Sequence, residues 1–433
     1  MKEILDACRD TDQYALIKQA LQRKQTAMLS GTTTTLKAAW AAALFEDMKQ
    51  NILLLTAGEE EAGKLYENIL PFLGDKAVLF PVLELLPFEV YGHNIELTAA
   101  RIHALSRLSR GENLVVIASI NAVSRRLAPP GLFADCHLRL KPGDRWELNQ
   151  LSETLVTMGY ERQILTEIPG SFSLRGSLVD VFPIDAEKPV RLEFFGDELE
   201  SLRLFDPADQ LSSDYVDSLF LAPGRELPTD VIARERAALL LQQETTRVLP
   251  ALHGEERKQL QIFSGQLNEY LQQGIWDSAL ELLLSFFYEE AAGILDYIDE
   301  GLIIIDEPDQ VQMEAEQQNE ERHNRYSDLL ESGRLLPSFY DNFQSFSQLR
   351  QCLQGLPLLL MGKLNIGVNS FTPLVNQELL ARELPVYAGS PAIFAADMRH
   401  FRSSGMQTLI SVSSEMRKKR VEEILREYEL PPV

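Results

Sequence analysis

The chain reads as an α/β protein built on a parallel sheet covered on both sides. Short apolar runs alternate with helical segments up to about residue 126, the pattern of strands buried on both faces. A second texture follows, in which alternating segments flank the turn Gly196-Asp197 and mark a β-rich α+β insert. The third observation is the stretch Ser30-Gly31-Thr32-Thr33-Thr34-Thr35-Leu36-Lys37-Ala38, which has the spacing of a phosphate-binding loop between a strand and a helix.

In chain order, residues 1–25 suggest one opening amphipathic helix, and Ala27-Met28-Leu29-Ser30-Gly31 is a short apolar run entering the loop. An alanine-rich helix follows over 36–48, a buried strand over 51–56, and an acidic helix from Glu59. Strands at 75–81 and 114–119 bracket a helix at 99–108. Pro129-Pro130-Gly131 is strong loop punctuation and opens the insert, which extends over 127–228. Its clearest part is 190–205, a hairpin about Gly196-Asp197. Residues 229–288 are helical, and Leu302-Ile303-Ile304-Ile305-Asp306-Glu307 is a buried strand ending in two acids. A polar helix covers 311–332. A further small α/β domain is expected over 334–433, with a strand at 407–412 and a helix at 414–428. The first domain is thus expected in two pieces, 1–126 and 229–333.

The loop has kept its frame and lost its chemistry. In the working pattern G-x-x-x-x-G-K-[ST], glycines let backbone N–H groups close on phosphate, the lysine reaches the terminal phosphates, and the hydroxyl holds magnesium. Gly31 and Lys37 stand at the correct spacing, but the second glycine is Leu36 and the hydroxyl is Ala38. Losing several contacts worth ~1–3 kcal/mol each weakens nucleotide binding by orders of magnitude. Asp306-Glu307 occupies the strand end where such folds place the acids that orient magnesium and water. Acids commonly end strands. With Gly31 and Lys37, however, the pair reads as the remains of a nucleotide site. No nucleotide or metal cofactor is expected.

A length of 433 residues implies two to four domains. The net charge of −23 argues against a broad phosphate-gripping surface, while leaving room for a local basic patch. Cys8, Cys136 and Cys352 are far apart and form no metal-binding spacing, which suits a reducing cytoplasm. The six histidines are scattered, so no zinc site is expected. No signal-peptide pattern and no long apolar window is present.

A more specific signal lies in Gly170-Ser171-Phe172-Ser173-Leu174-Arg175-Gly176-Ser177-Leu178-Val179-Asp180-Val181-Phe182-Pro183 and in Pro189-Val190-Arg191-Leu192-Glu193-Phe194-Phe195-Gly196-Asp197-Glu198-Leu199. These strings closely resemble the bacterial transcription-repair coupling factor family (Mfd), and more distantly the excision-repair protein UvrB. Ser201-Leu202-Arg203-Leu204-Phe205-Asp206-Pro207, Ile298-Asp299-Glu300 and Asp306-Glu307-Pro308 continue the match. The resemblance runs through the chain, loosest after about residue 335, and covers the N-terminal part of the family's architecture. The chain is therefore expected to be a piece of a longer protein.

The resemblance implies a degenerate P-loop NTPase domain, RecA/UvrB-like, formed by 1–126 and 229–333. The insert would be the domain with which both families bind the repair ATPase UvrA. The family's UvrA-contacting residues fall on Arg175, Arg191 and Phe195. Two arginines suit carboxylate contacts and an aromatic suits a hot-spot anchor. On the residues alone, Arg191 reads rather as one polar residue of a half-solvated strand and Phe195 as core. Phe194 and Phe195 point to opposite faces without the pattern choosing between them. The resemblance places the exposed one at Phe195. The segment where UvrB carries its DNA-prising hairpin is short and holds two aromatics, Phe88 and Tyr91, so strand prising is expected to be missing.

The expected function is recruitment of UvrA by mimicry of UvrB, without ATP hydrolysis, by a cytoplasmic monomer. The family implies RNA polymerase and double-stranded DNA as partners through regions outside this sequence, and masking of the UvrA-facing surface by a C-terminal domain. Two other readings remain open: an active ATP-dependent hydrolase or helicase fragment, and a direct DNA binder.

Overall fold

The computed structural model describes residues 1–83, 95–364, 370–381, 384–385, 387, 389–406, 408, 410, 412 and 414–430. Phe88 and Tyr91 lie outside the described residues, as do residues 407, 409 and 411 of the strand expected at 407–412.

Seven strands form one sheet in the order Val375–Glu378, Thr26–Ser30, Leu358–Met361, Leu302–Asp306, Ile52–Thr56, Val115–Ser119, Ala77–Phe80. Every pairing is parallel. The alternation of the strand backbone divides the buried side chains into two cores. Leu53, Leu55, Ile303 and Ile305 face one, and Ile52, Leu54, Leu302 and Ile304 face the other. Each such residue, fully buried, contributes roughly 1.5–3 kcal/mol, which is why continuous apolar runs, not alternating ones, mark these strands. The helix Thr34–Met48 is apolar around its circumference, with Ala38 to Leu44 all buried, as a helix enclosed by its neighbours must be.

Two sequence expectations are corrected. The opening segment is two helices, Lys2–Arg9 and Asp12–Gln22, because Thr11 caps the second by accepting a bond from the Tyr14 amide at 3.2 Å. The small domain does not begin at residue 334: Leu358–Met361 pairs between Thr26–Ser30 and Leu302–Asp306, and Val375–Glu378 forms the sheet edge. The compact units are Met1–Ala381 and Arg382–Val433. In the second, described residues form helices Pro391–Ser403 and Glu415–Glu427, with Ala395, Met398, Leu425 and Leu430 as their core.

The insert has its own core, made of residues between Leu140 and Leu221. A six-stranded sheet runs in the order Ser212–Tyr215, Glu198–Phe205, Val190–Phe195, Leu178–Val181, Ser171–Arg175, Glu161–Arg162. Leu151, Leu155 and Met158 of the helix Leu148–Met158 join the core on its inner face. Residues at the start of the expected insert, Leu127 and Phe133, pack instead in the core of the first domain. A fully buried ion pair ties the far end of the insert to that domain. Arg101 stacks on Phe80 at 4.0 Å, binds Glu226 through two nitrogens (one at 3.1 Å), and donates to the Pro81 carbonyl at 2.7 Å. Arg125 and Glu281, 2.5 Å apart and equally buried, join the two pieces of the first domain.

The candidate partner-binding face and the degenerate phosphate loop

The loop lies at the carboxyl ends of the parallel strands, where open α/β sheets bind ligands. Gly31 has φ +70°, and a Cβ there would sit 1.8 Å from the Leu379 carbonyl oxygen, so the edge strand runs hard against the loop. The Thr32 amide and hydroxyl both donate to the Gly362 carbonyl, at 3.3 and 3.0 Å. The Leu36 amide donates to Thr33 Oγ1 at 3.4 Å, capping a helix that already begins at Thr34. The amides of Thr32 and Leu36, which a phosphate would use in a working loop, are engaged within the protein. Leu36 is packed against the core and Ala38 is fully buried.

Lys37 is buried and bonded to the acids expected to be its companions. Its Nζ donates to Asp306 Oδ1 and, at 2.6 Å, to Glu307 Oε1. Glu307 Oε1 also accepts the Lys363 amide at 2.9 Å, and Glu307 itself has a left-handed backbone with φ 49°. Burial pushes the Asp306 carboxyl above its ordinary pKa, against the pull of Lys37. Lys37, Asp306 and Glu307 are therefore one bonded cluster, with the lysine turned onto the acids, while Gly31 packs against Leu379. Among the described residues no cluster of metal-ligating side chains occurs, and no helix is long and apolar enough to cross a membrane.

The second site is the outer face of the insert's sheet. Along Val190–Phe195, Val190, Leu192 and Phe194 point into the core, and Arg191, Glu193 and Phe195 point outward. Phe194 is 5% exposed and Phe195 82%, so the exposed ring is Phe195. It ends its strand at the turn where Gly196 takes φ 64°. Direct cross-strand pairs put Asp180 opposite Arg191, and Leu178 opposite both Arg175 and Glu193. Arg175, Asp180, Arg191 and Phe195 thus share the outer face.

Both arginines converge on Asp180, whose side chain is 0% exposed. Arg191 grips it with Nε at 2.7 Å and Nη2 at 3.0 Å. Its Nη1 donates to the Gln210 carbonyl and Ser212 Oγ, each at 3.2 Å, and its guanidinium lies over Phe205 at 4.7 Å. The bond to Asp180 raises the Arg191 pKa, so it stays charged. Arg175 gives Asp180 a single nitrogen, Nη2. The Arg175 side chain is 39% exposed and that of Arg191 12%. Sequence reasoning missed Asp180. Its signal was present: a lone acid inside the apolar run Leu178-Val179-Asp180-Val181, close to a motif arginine.

Comparison with known proteins gives a matching domain family and similar relatives. A family model described as the UvrB interaction domain matches residues 138–227. The transcription-repair-coupling factor of Bacillus subtilis (strain 168) is 28% identical over 434 residues, covering 99% of this chain and 37% of that protein. That of Staphylococcus aureus (strain USA300) is 24% identical over 418 residues, covering 94% of this chain and 35% of its own length. The chain thus spans little more than a third of the curated relatives it matches. The fold and site define a RecA/UvrB-like α/β protein carrying a UvrB interaction domain. In particular, the chain corresponds to the N-terminal, UvrB-homology region of the transcription-repair coupling factors.

Proposed function

We propose that this region recruits UvrA by presenting, on the outer face of its inserted domain, the surface that UvrB presents, and that it does so without hydrolysing ATP. The observation that carries the reading is Phe195, a large aromatic 82% exposed on the same sheet face as Arg175 in a matched UvrB interaction domain. An isolated exposed ring gains its burial energy only from a partner, and aromatic and arginine anchors dominate interfaces. The whole protein would be an ATP-dependent DNA translocase that displaces stalled RNA polymerase, with its motor and polymerase contacts in regions outside this chain. A C-terminal domain would cover the UvrA-facing surface until the protein acts. The three free cysteines suit work in the cytoplasm.

The test is calorimetric titration of the 433-residue chain with UvrA, repeated with Arg175→Ala and Phe195→Ala. Binding by the unaltered chain and loss of at least tenfold in each variant (roughly 1.4 kcal/mol or more) is expected. No binding by the unaltered chain would refute the reading.

One observation favours a second reading. Lys37, Asp306 and Glu307 are still gathered at the strand ends, as an ATP-driven UvrB-like damage-binding or helicase protein would need. Titration with ATP and magnesium separates the two: micromolar affinity supports the motor, and none supports the scaffold.

A further inference from the structure

Arg175 and Arg191 resemble each other in sequence but differ in how they are held. Arg191 directs three nitrogens at four acceptors, two on Asp180, one on Gln210 and one on Ser212, and lies over the Phe205 ring. Pulling it away would leave a fully buried carboxylate with only the single Arg175 nitrogen, undo the link to the edge strand Ser212–Tyr215, and uncover Phe205. Arg175 holds the same carboxylate through one nitrogen, at the end of its strand, next to the turn in which Gly176 takes φ 62°. If Arg175 leaves, Asp180 keeps both Arg191 bonds and is never uncompensated.

We propose that Arg175 is the exchangeable arginine of this face: on docking it releases Asp180 and takes a carboxylate of the partner, while Arg191 stays on Asp180 as a fixed anchor. Asp180 is then a positioning residue. It holds Arg175 aimed outward in the free protein and competes with the partner for it. The inference rests on the UvrA-binding reading and adds the chemistry of the partner's contact, an acidic side chain beside an apolar pocket for Phe195. From strand geometry, Phe195 stands roughly 7 Å along and about 10 Å across the sheet from Arg175, which fixes the spacing of those two features on the partner.

The competition has a sign that a purely structural Asp180 does not. Asp180→Asn keeps an acceptor for Arg191 and removes the charge that holds Arg175. UvrA affinity should therefore rise about two- to fivefold, the scale of a partly exposed ion pair. That gain should vanish when Arg175→Ala is already present. Weaker or unchanged binding by a folded Asp180→Asn protein overturns the proposal while leaving UvrA recruitment intact. Failure of the unaltered chain to bind UvrA overturns both. If Asp180→Asn does not fold, a measurement on the unaltered chain decides: on adding UvrA, the Arg175 Nε–H resonance should move and that of Arg191 should stay. Movement of Arg191, or stillness of Arg175 in a binding complex, refutes the exchange.

Discussion

Lys37, on the helix after the phosphate loop, is buried in an ion pair with Asp306 at the end of a central strand. The residues of a nucleotide site are present together, but the lysine's charge is spent on the protein's own acids. Replacing Lys37 by Met leaves a nearly buried carboxylate without its partner and should cost about 3 kcal/mol or more in urea denaturation. Lys37→Met/Asp306→Asn should recover most of that loss.

The same pair predicts a pH dependence. Burial raises the folded-state pKa of Asp306, so the native state holds its proton more tightly than the unfolded chain does. Its contribution to stability is therefore full at low pH and is lost as pH rises through the raised value. Without Lys37 the pKa rises further. The stability deficit of Lys37→Met should shrink as pH falls below neutrality through that raised value, as chemical denaturation at each pH would show.

Phe194 and Phe195 should behave oppositely. Phe194→Ala empties a core position and should cost about 3–5 kcal/mol. Phe195→Ala removes a ring that touches mostly solvent and should stay within about 0.5 kcal/mol of the parent, with its effect confined to UvrA binding.

Gly31→Ala should destabilise the sheet edge. The left-handed backbone costs an alanine about 1 kcal/mol or more, and its Cβ would collide with the Leu379 carbonyl. Limited proteolysis should then cut faster around Val375–Glu378.

Arg101→Met should cost about 3–5 kcal/mol, because the buried Glu226 carboxylate loses its ion pair with Arg101. Adding Glu226→Gln should restore part of it, measured by thermal unfolding as a double-mutant cycle.

Much of this was legible in the sequence because it is local. The runs at 52–56, 115–119 and 302–306 declare buried parallel strands, and Gly196-Asp197 declares a hairpin. The loss of the loop's glycine and hydroxyl at Leu36 and Ala38 can be read directly. What could not be read is long-range. Leu358-Leu359-Leu360-Met361 looks like a strand of any sheet, and only parallel pairing with Thr26–Ser30 places it in the first domain. The polar segment Val375–Glu378 has no apolar run to announce it, because an edge strand is half solvated. Arg191 carried a family motif. Its confinement depends on Asp180, Gln210 and Ser212, whose convergence requires four strands to be in register.

The strand order also sets a timetable. Among the described strands, Thr26–Ser30 bonds only to Leu358–Met361 and Val375–Glu378. On the ribosome this first strand is made early and has no neighbour until almost the whole of the first compact unit has emerged. The inserted domain draws its core from between Leu140 and Leu221 and can close on itself meanwhile. Ile52–Thr56, Val115–Ser119 and Ala77–Phe80 can pair with one another before the guest is made, so the guest is completed while Thr26–Ser30 still waits for its neighbours. Slow, high-contact-order assembly of the host, and dependence on protection of that one waiting strand during synthesis, follow from the order of the sheet.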